Sequence, residues 1–208
     1  MVRKNFIGID YSINSPAMCT ITSYNGRLSY SFVGFHHYKT APATMMRTLY
    51  DGLINIKIVY YPDKWTDKMD RYHHSALAFF YEYGNKFIVE NTTTYIEDYN
   101  YNPKRNKNNI IDMVEATMCF KTMLYRDKFK YHQISIPTIK KHIAGSGAAE
   151  KSQIQQIMLD YFMREHNLDL ADLPKQICDM FVKGWTASPF EDFADAWATA
   201  KMCYDQHK

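Results

Sequence analysis

The sequence predicts an α/β fold, a mixed sheet with helices packed on it, and three observations carry that expectation. Two strand-like runs flank Asn25-Gly26, the strongest short hairpin signal available. Short apolar strand patterns then alternate with long helical ones, and the remainder of the chain is helical in pattern. At 208 residues with 46% hydrophobic content, the chain can bury a real core and is expected to form a single domain over 1–208.

The elements follow in order. Phe6 to Asp10 is a short buried strand, and Ala17 to Ser23 and Arg27 to Phe35 are the two arms of the hairpin. Residues 36 to 66 are a Tyr-rich elaboration with a strand-like Ile54 to Tyr61, broken by Pro62. Asp67 to Tyr83 reads as a helix that Gly84 ends. Phe87 to Glu97 is the fourth strand of the main sheet and Tyr131 to Ile136 the fifth. Between them lies a long amphipathic helix, Asn108 to Arg126, with Ile110, Ile111, Met113, Val114, Thr117, Met118 and Met123 on or near one face. Helical segments close the chain at Pro137 to Ala144, Ala149 to Arg164, Leu170 to Lys183 and Glu191 to Asp205. The sheet so described has five strands with helices on it, and no internal repeat or low-complexity run competes with it.

Charge and cysteine usage narrow the function classes. The net charge is +3, but residues 102–151 carry ten Lys and Arg against four Asp and Glu, while residues 152–208 carry five against nine. A basic middle beside an acidic tail suits a surface that holds phosphates around a cation pocket; for the run alone, a solvated basic face is an equal reading. Cys19, Cys119, Cys178 and Cys203 are far apart and form no CxxC pair, so zinc-site spacings are absent and a reduced, intracellular setting is expected. The chain shows no signal peptide and no apolar run of membrane-spanning length, and no membrane partner is expected. The pairs His36-His37 and His73-His74 are read as surface or packing residues: neighbours on a strand face opposite ways, and neither pair has a third ligand in reach of sequence.

Four acids stand where local sequence would bring carboxylates together. Asp10 closes the run Phe6-Ile-Gly-Ile, Glu97 ends the run Thr92 to Ile96, and Asp192-Phe-Ala-Asp195 opens a helix with its acids one turn apart. Carboxylates in such a set suit hard divalent ions, which neutralise a phosphodiester and acidify water without any His or Cys cage. Taken singly, Asp10 and Glu97 are equally well a turn cap and a surface acid, and acids in a first helical turn complement the macrodipole. Strand alternation leaves Glu97 and Asp98 as alternatives for the Asp10 face, and spacing leaves Glu191 with Asp195 beside Asp192 with Asp195. Ala194, Ala196, Ala198 and Ala200 behind these acids imply close approach to the sheet.

Gly8-Ile-Asp10, Ile96-Glu97, Gly145-Ser-Gly-Ala-Ala-Glu-Lys-Ser-Gln153 after Ile-Pro-Thr-Ile-Lys-Lys, and Asp192-Phe-Ala-Asp-Ala196 together resemble the RuvC-type Holliday-junction resolvases. The resemblance implies a ribonuclease H-like fold and a homodimer that nicks two opposed strands of a four-way DNA junction. It implies two Mg2+ ions per site, with Mn2+ as a substitute, held by Asp10, Glu97, Asp192 and Asp195. It selects Glu97 over Asp98 and implies no small-molecule cofactor. Lys151, Ser152, Lys140 and Lys141 would meet the DNA backbone. Tyr99 and Tyr101, followed by Lys104, Arg105 and Lys107, have the aromatic and basic interleaving that would stack on unpaired bases at a branch; in a chain with 17 Tyr, a Tyr-rich loop packing on its own domain is the competing reading. The excess apolar surface of the 108–126 helix would form the dimer interface. The compartment would be cytoplasmic and nucleoid-associated, or host cytoplasm for a viral or phage protein.

The chain departs from the bacterial pattern after Asp10, where Tyr11-Ser12-Ile-Asn-Ser15-Pro16 stands in place of Pro-Gly, and it carries insertions around 36–66 and 164–190. It therefore resembles divergent viral, phage or organellar members, with no transferable sequence preference. A ribonuclease H-like nuclease for flaps, forks or RNA–DNA hybrids, and a non-catalytic junction-binding protein, are the competing readings. Sugar-kinase and actin-like ATPases also begin with a strand ending in Asp, but they need a second Gly-rich phosphate loop and two such domains.

Overall fold

The computed structural model describes residues 2–12, 15–38, 45–62, 68–84, 89–98, 109–168 and 189–208. The strands are β1 (Lys4–Asp10), β2 (Ala17–Tyr24), β3 (Arg27–Tyr38), β4 (Met45–Leu49), β5 (Ile54–Pro62), β6 (Thr92–Glu97) and β7 (Tyr131–Ile134). The helices are α1 (Lys68–Gly84), α2 (Asn109–Arg126), α3 (Ile136–Ala144), α4 (Lys151–His166) and α5 (Pro189–His207). The expected helix at 170–183 lies outside the described residues.

One mixed seven-stranded sheet runs in the order β4-β5-β3-β2-β1-β6-β7. The five expected strands form its continuous β3-β2-β1-β6-β7 part. Asn25 and Gly26, both at positive φ, make the turn that pairs β2 antiparallel to β3, as the Asn-Gly dipeptide requires. β1 pairs antiparallel with β2 and parallel with β6, and β6 pairs parallel with β7. The 36–66 elaboration adds the other two strands: β5 lies parallel to β3, and β4 folds back antiparallel on its outer side. The strand expected from Phe87 begins only at Thr92, because Val89–Asn91 form a 3-10 turn.

Alternation along β1 sends Ile7 and Ile9 to one face and Phe6 and Gly8 to the other. The first face packs on α1 and α2 through Tyr72, Ala76, Ala116 and Phe120. The second packs on α4 and α5 through Phe162, Phe193, Trp197 and Met202. Burial of two apolar layers on a central sheet, each side chain contributing about 1.5–3 kcal/mol of transfer free energy, holds β1 and β6 at the centre of the fold. Among the described residues no helix is long and apolar enough to cross a membrane. Cys19, Cys119 and Cys203 are free thiols, and Cys178 lies outside the described residues.

Candidate active site

Parallel pairing of β1 with β6 sets Ile9 against Ile96, so Asp10 and Glu97 leave the sheet side by side at the same end. Tyr95 packs in the α5-side core and Ile96 in the α2-side core, so Glu97, next on the Tyr95 side, faces α5 with Asp10. This resolves the Glu97 and Asp98 alternatives: Asp98 Oδ1 accepts a hydrogen bond from Gln133 Nε2 on β7 at 2.9 Å. Glu191 is exposed, whereas Asp192 and Asp195 are mostly shielded, so the spacing-3 pair is the one turned to the sheet.

Gly8 decides how close α5 comes. A Cβ there would lie 2.1 Å from Ala200 N and 2.3 Å from Ala196 O, so strand and helix meet backbone to backbone. Ala196 and Ala200 form that contact, and Ala194 and Ala198 are buried as well. The small-residue run therefore brings the first turn of α5, and with it Asp192 and Asp195, up to the ends of β1 and β6.

The charges of the four acids act on one another at this end of the sheet. Burial, then the charges of Asp195 and Asp192, push the Asp10 carboxyl from 3.8 up to about 8, with Lys151 opposing. Burial, then Asp10 and Asp195, hold Glu97 well above the carboxylate range, against Lys151 and Lys140. Asp192 is pushed up to about 6, chiefly by burial, with relief from a Ser15 hydrogen bond and from Lys151. Burial alone would lower the Lys151 ammonium, yet its contact with Asp195, Nζ to Oδ2 at 2.9 Å, and the charges of Asp10 and Asp192 hold it above the lysine range.

These donors fit a hard divalent cation. Asp192 Oδ2 is buried and has no hydrogen-bond partner among the described residues, a state that costs free energy unless a water or a cation fills it. As positioned, no three acidic, His or Cys side chains among the described residues converge tightly enough to clasp a bare ion. A hard divalent ion that retains several of its waters needs only one or two direct carboxylates.

The basic candidates divide. Lys151 lies within the carboxylate pocket. Lys140 Nζ donates to Ala149 O at 2.6 Å, tying α3 to the loop before α4 while its charge reaches Glu97. Lys141 and Ser152 are exposed beside them. Tyr99, Tyr101, Lys104, Arg105 and Lys107 lie outside the described residues. The start of α4 is closed by its own capping box: Glu150 receives the backbone N–H of Gln153, and Gln153 Oε1 accepts from Glu150 N at 2.8 Å. Those bonds satisfy the first amides of α4 from within the chain. His73 and His74 are exposed on α1, and the side chains of His36 and His37 are outside the described set.

Sequence reasoning missed Ser15, whose hydroxyl serves Asp192 and whose amide donates to Ser12 Oγ at 3.0 Å. The Ser12-x-x-Ser15 turn after Asp10 was the available signal. It also missed the Lys151–Asp195 pair, for which sequence carries none.

Neither a family sequence model nor a curated protein sequence matches the chain. Solved structures do. The chain superposes on Thermus thermophilus RuvC with a TM-score of 0.52 at 12% identity, covering 99% of this chain and 96% of that one. On T. thermophilus RuvC in complex with Holliday junction substrate the TM-score is 0.50 at 10% identity, with 99% and 96% covered. The yeast mitochondrial Holliday junction resolvase Ydc2 gives 0.55 at 13% identity, with 95% of this chain and 76% of that one covered. The chain thus has the RuvC-like, ribonuclease H-type fold.

Proposed function

We propose that this chain is a divalent-metal-dependent DNA endonuclease that resolves four-way junctions by paired nicks. One observation carries the reading: on a RuvC-like fold, Asp10, Glu97, Asp192 and Asp195 meet at the shared end of β1 and β6 and are electrostatically joined. Those four side chains would hold two Mg2+ ions, with Mn2+ as a substitute, which supply charge neutralisation at the phosphate and acidification of water. Ser15 fixes the Asp192 carboxylate, and the Gly8 contact fixes the register of α5 against Asp10.

The DNA backbone would run past Lys140, Lys141, Lys151 and Ser152, with Tyr99, Tyr101, Lys104, Arg105 and Lys107, which follow Glu97 in the chain, at the branch. A second copy would supply the second site. Support for it comes from α2, whose outer side presents Ile111, Val114, Met118 and Tyr125 to solvent, at 59%, 37%, 51% and 82% exposure. These sit at spacings of three, four and seven on a side opposite the buried Ala116, Phe120, Met123 and Leu124, a pattern suited to a second helix. The chain would act as a homodimer with no small-molecule cofactor.

Cleavage of a labelled four-way junction, compared with duplex, flap, fork and RNA–DNA hybrid in Mg2+ and in EDTA, tests this directly. Symmetrical metal-dependent nicks leaving 5′-phosphate and 3′-hydroxyl ends, lost in Asp10→Asn while junction binding persists, are expected. A preference for another substrate would reassign the branch. Binding without cleavage of any substrate would remove the enzyme reading.

A further inference from the structure

Lys151 opens α4, and its side chain crosses to α5, where Nζ lies 2.9 Å from Asp195 Oδ2. Its charge acts on more than that one partner, because the same ammonium favours the ionised forms of Asp10, Glu97 and Asp192. A single positive charge therefore serves four carboxylates that repel one another. Lys140, the other cation whose charge reaches Glu97, is tied to the Ala149 carbonyl.

Divalent ions would seek the same oxygens. A Mg2+ bound to Asp195 at about 2.0–2.1 Å and an ammonium on the same carboxylate would repel across a short gap, where water screens them poorly. The two cations therefore compete for that carboxylate. The Lys151 side chain is 55% exposed against 14% for Asp195, so its way out to solvent is open.

We propose that Lys151 is a built-in counter-cation of the metal-free pocket, which competes with a divalent ion for Asp195 and swings outward when the ion binds. The inference rests on the two-metal reading above and adds a device to it. The ammonium offsets part of the pocket's negative charge before loading, and the metal displaces a side chain of the protein as well as water. The displaced ammonium then stands at the pocket mouth, where a backbone phosphate would be its next partner.

Titration of the DNA-free protein with Mn2+, by calorimetry and by the metal-dependent rise in Tm, tests the competition. Lys151→Met should bind Mn2+ at least tenfold more tightly than wild type and melt lower in EDTA, whereas Lys151→Arg should keep the wild-type affinity. In wild type, reductive 13C-methylation of the lysines should show the Lys151 resonance, assigned with Lys151→Arg, moving on Mg2+ addition. This readout does not depend on the Met variant folding. Equal or weaker Mn2+ binding by Lys151→Met, or a Lys151 resonance that Mg2+ leaves in place, would overturn the proposal while ion binding that Asp10→Asn abolishes stays intact. Absence of any Asp10-dependent ion binding would instead remove the two-metal reading and the proposal with it.

Discussion

At the scale of single residues, the pocket is held at a cost that pH can reveal. The native Asp10 carboxyl titrates near 8 against 3.8 for an ordinary Asp, so between those values the folded chain binds more protons than the unfolded one. Stability of the metal-free protein should therefore fall as pH rises through that window. Asp10→Asn should flatten the profile and raise metal-free stability at pH 8, by roughly 1–3 kcal/mol once solvent at the open side is allowed for. It should also abolish stabilisation by Mg2+. Thermal melts in EDTA and in Mg2+ across pH 5 to 9 measure both effects, and a wild-type profile that does not decline would contradict the account. The four acids were legible because each sits in a local sequence that fixes its place, at a strand end or in a helix's first turn. Ser15 and the partner of Lys151 were not, because which carboxylate a hydroxyl or a long cationic side chain reaches depends on elements far apart in sequence.

At the scale of elements, the contact between β1 and α5 sets the site. In Gly8→Ala the new methyl would meet Ala200 N and Ala196 O at 2.1 and 2.3 Å, and rigid backbone on both sides leaves only a shift of the helix. The expected loss is about 3 kcal/mol, or about 6–12 °C in Tm, with metal-dependent activity failing at temperatures where the fold persists. Unchanged stability would show that α5 can slide freely. The alanine run made this approach legible, but its partner Gly8 was invisible until the strand register was known. Helix α2 was legible as a helix but not in its two-sidedness. Of the residues assigned to one stripe, Thr117 and Met123 point inward while Ile111, Val114 and Met118 point to solvent. A helix with apolar residues on both sides gives no sequence cue to which side the sheet takes. Strand β4 was missed because five residues, Met45–Leu49, are too short to show a period of two convincingly.

At the scale of the whole molecule, the outer stripe of α2 is the surface on which the proposed second copy would pack. Met118→Glu should weaken self-association about 10- to 100-fold, by placing a charge where an apolar anchor is expected, and leave the monomer fold intact because Met118 faces solvent. Sedimentation equilibrium reports the first effect and the melting curve the second; a monomeric wild type would remove the interface. Apart from β4, the order of the described strands and helices was legible, since each carries its own periodicity, whereas the seven-strand sheet order depended on pairings that no local pattern encodes. The pocket also draws its first acid from β1 and its last two from α5, with β2 to β7 and α1 to α4 synthesised between them. At roughly 5–20 residues per second, tens of seconds of translation separate Asp10 from Asp195. During that time a growing chain, whatever else it has folded, holds half of the proposed blade, and a nascent protein bearing only β1 to β6 would lack the two α5 acids that the proposed cleavage requires.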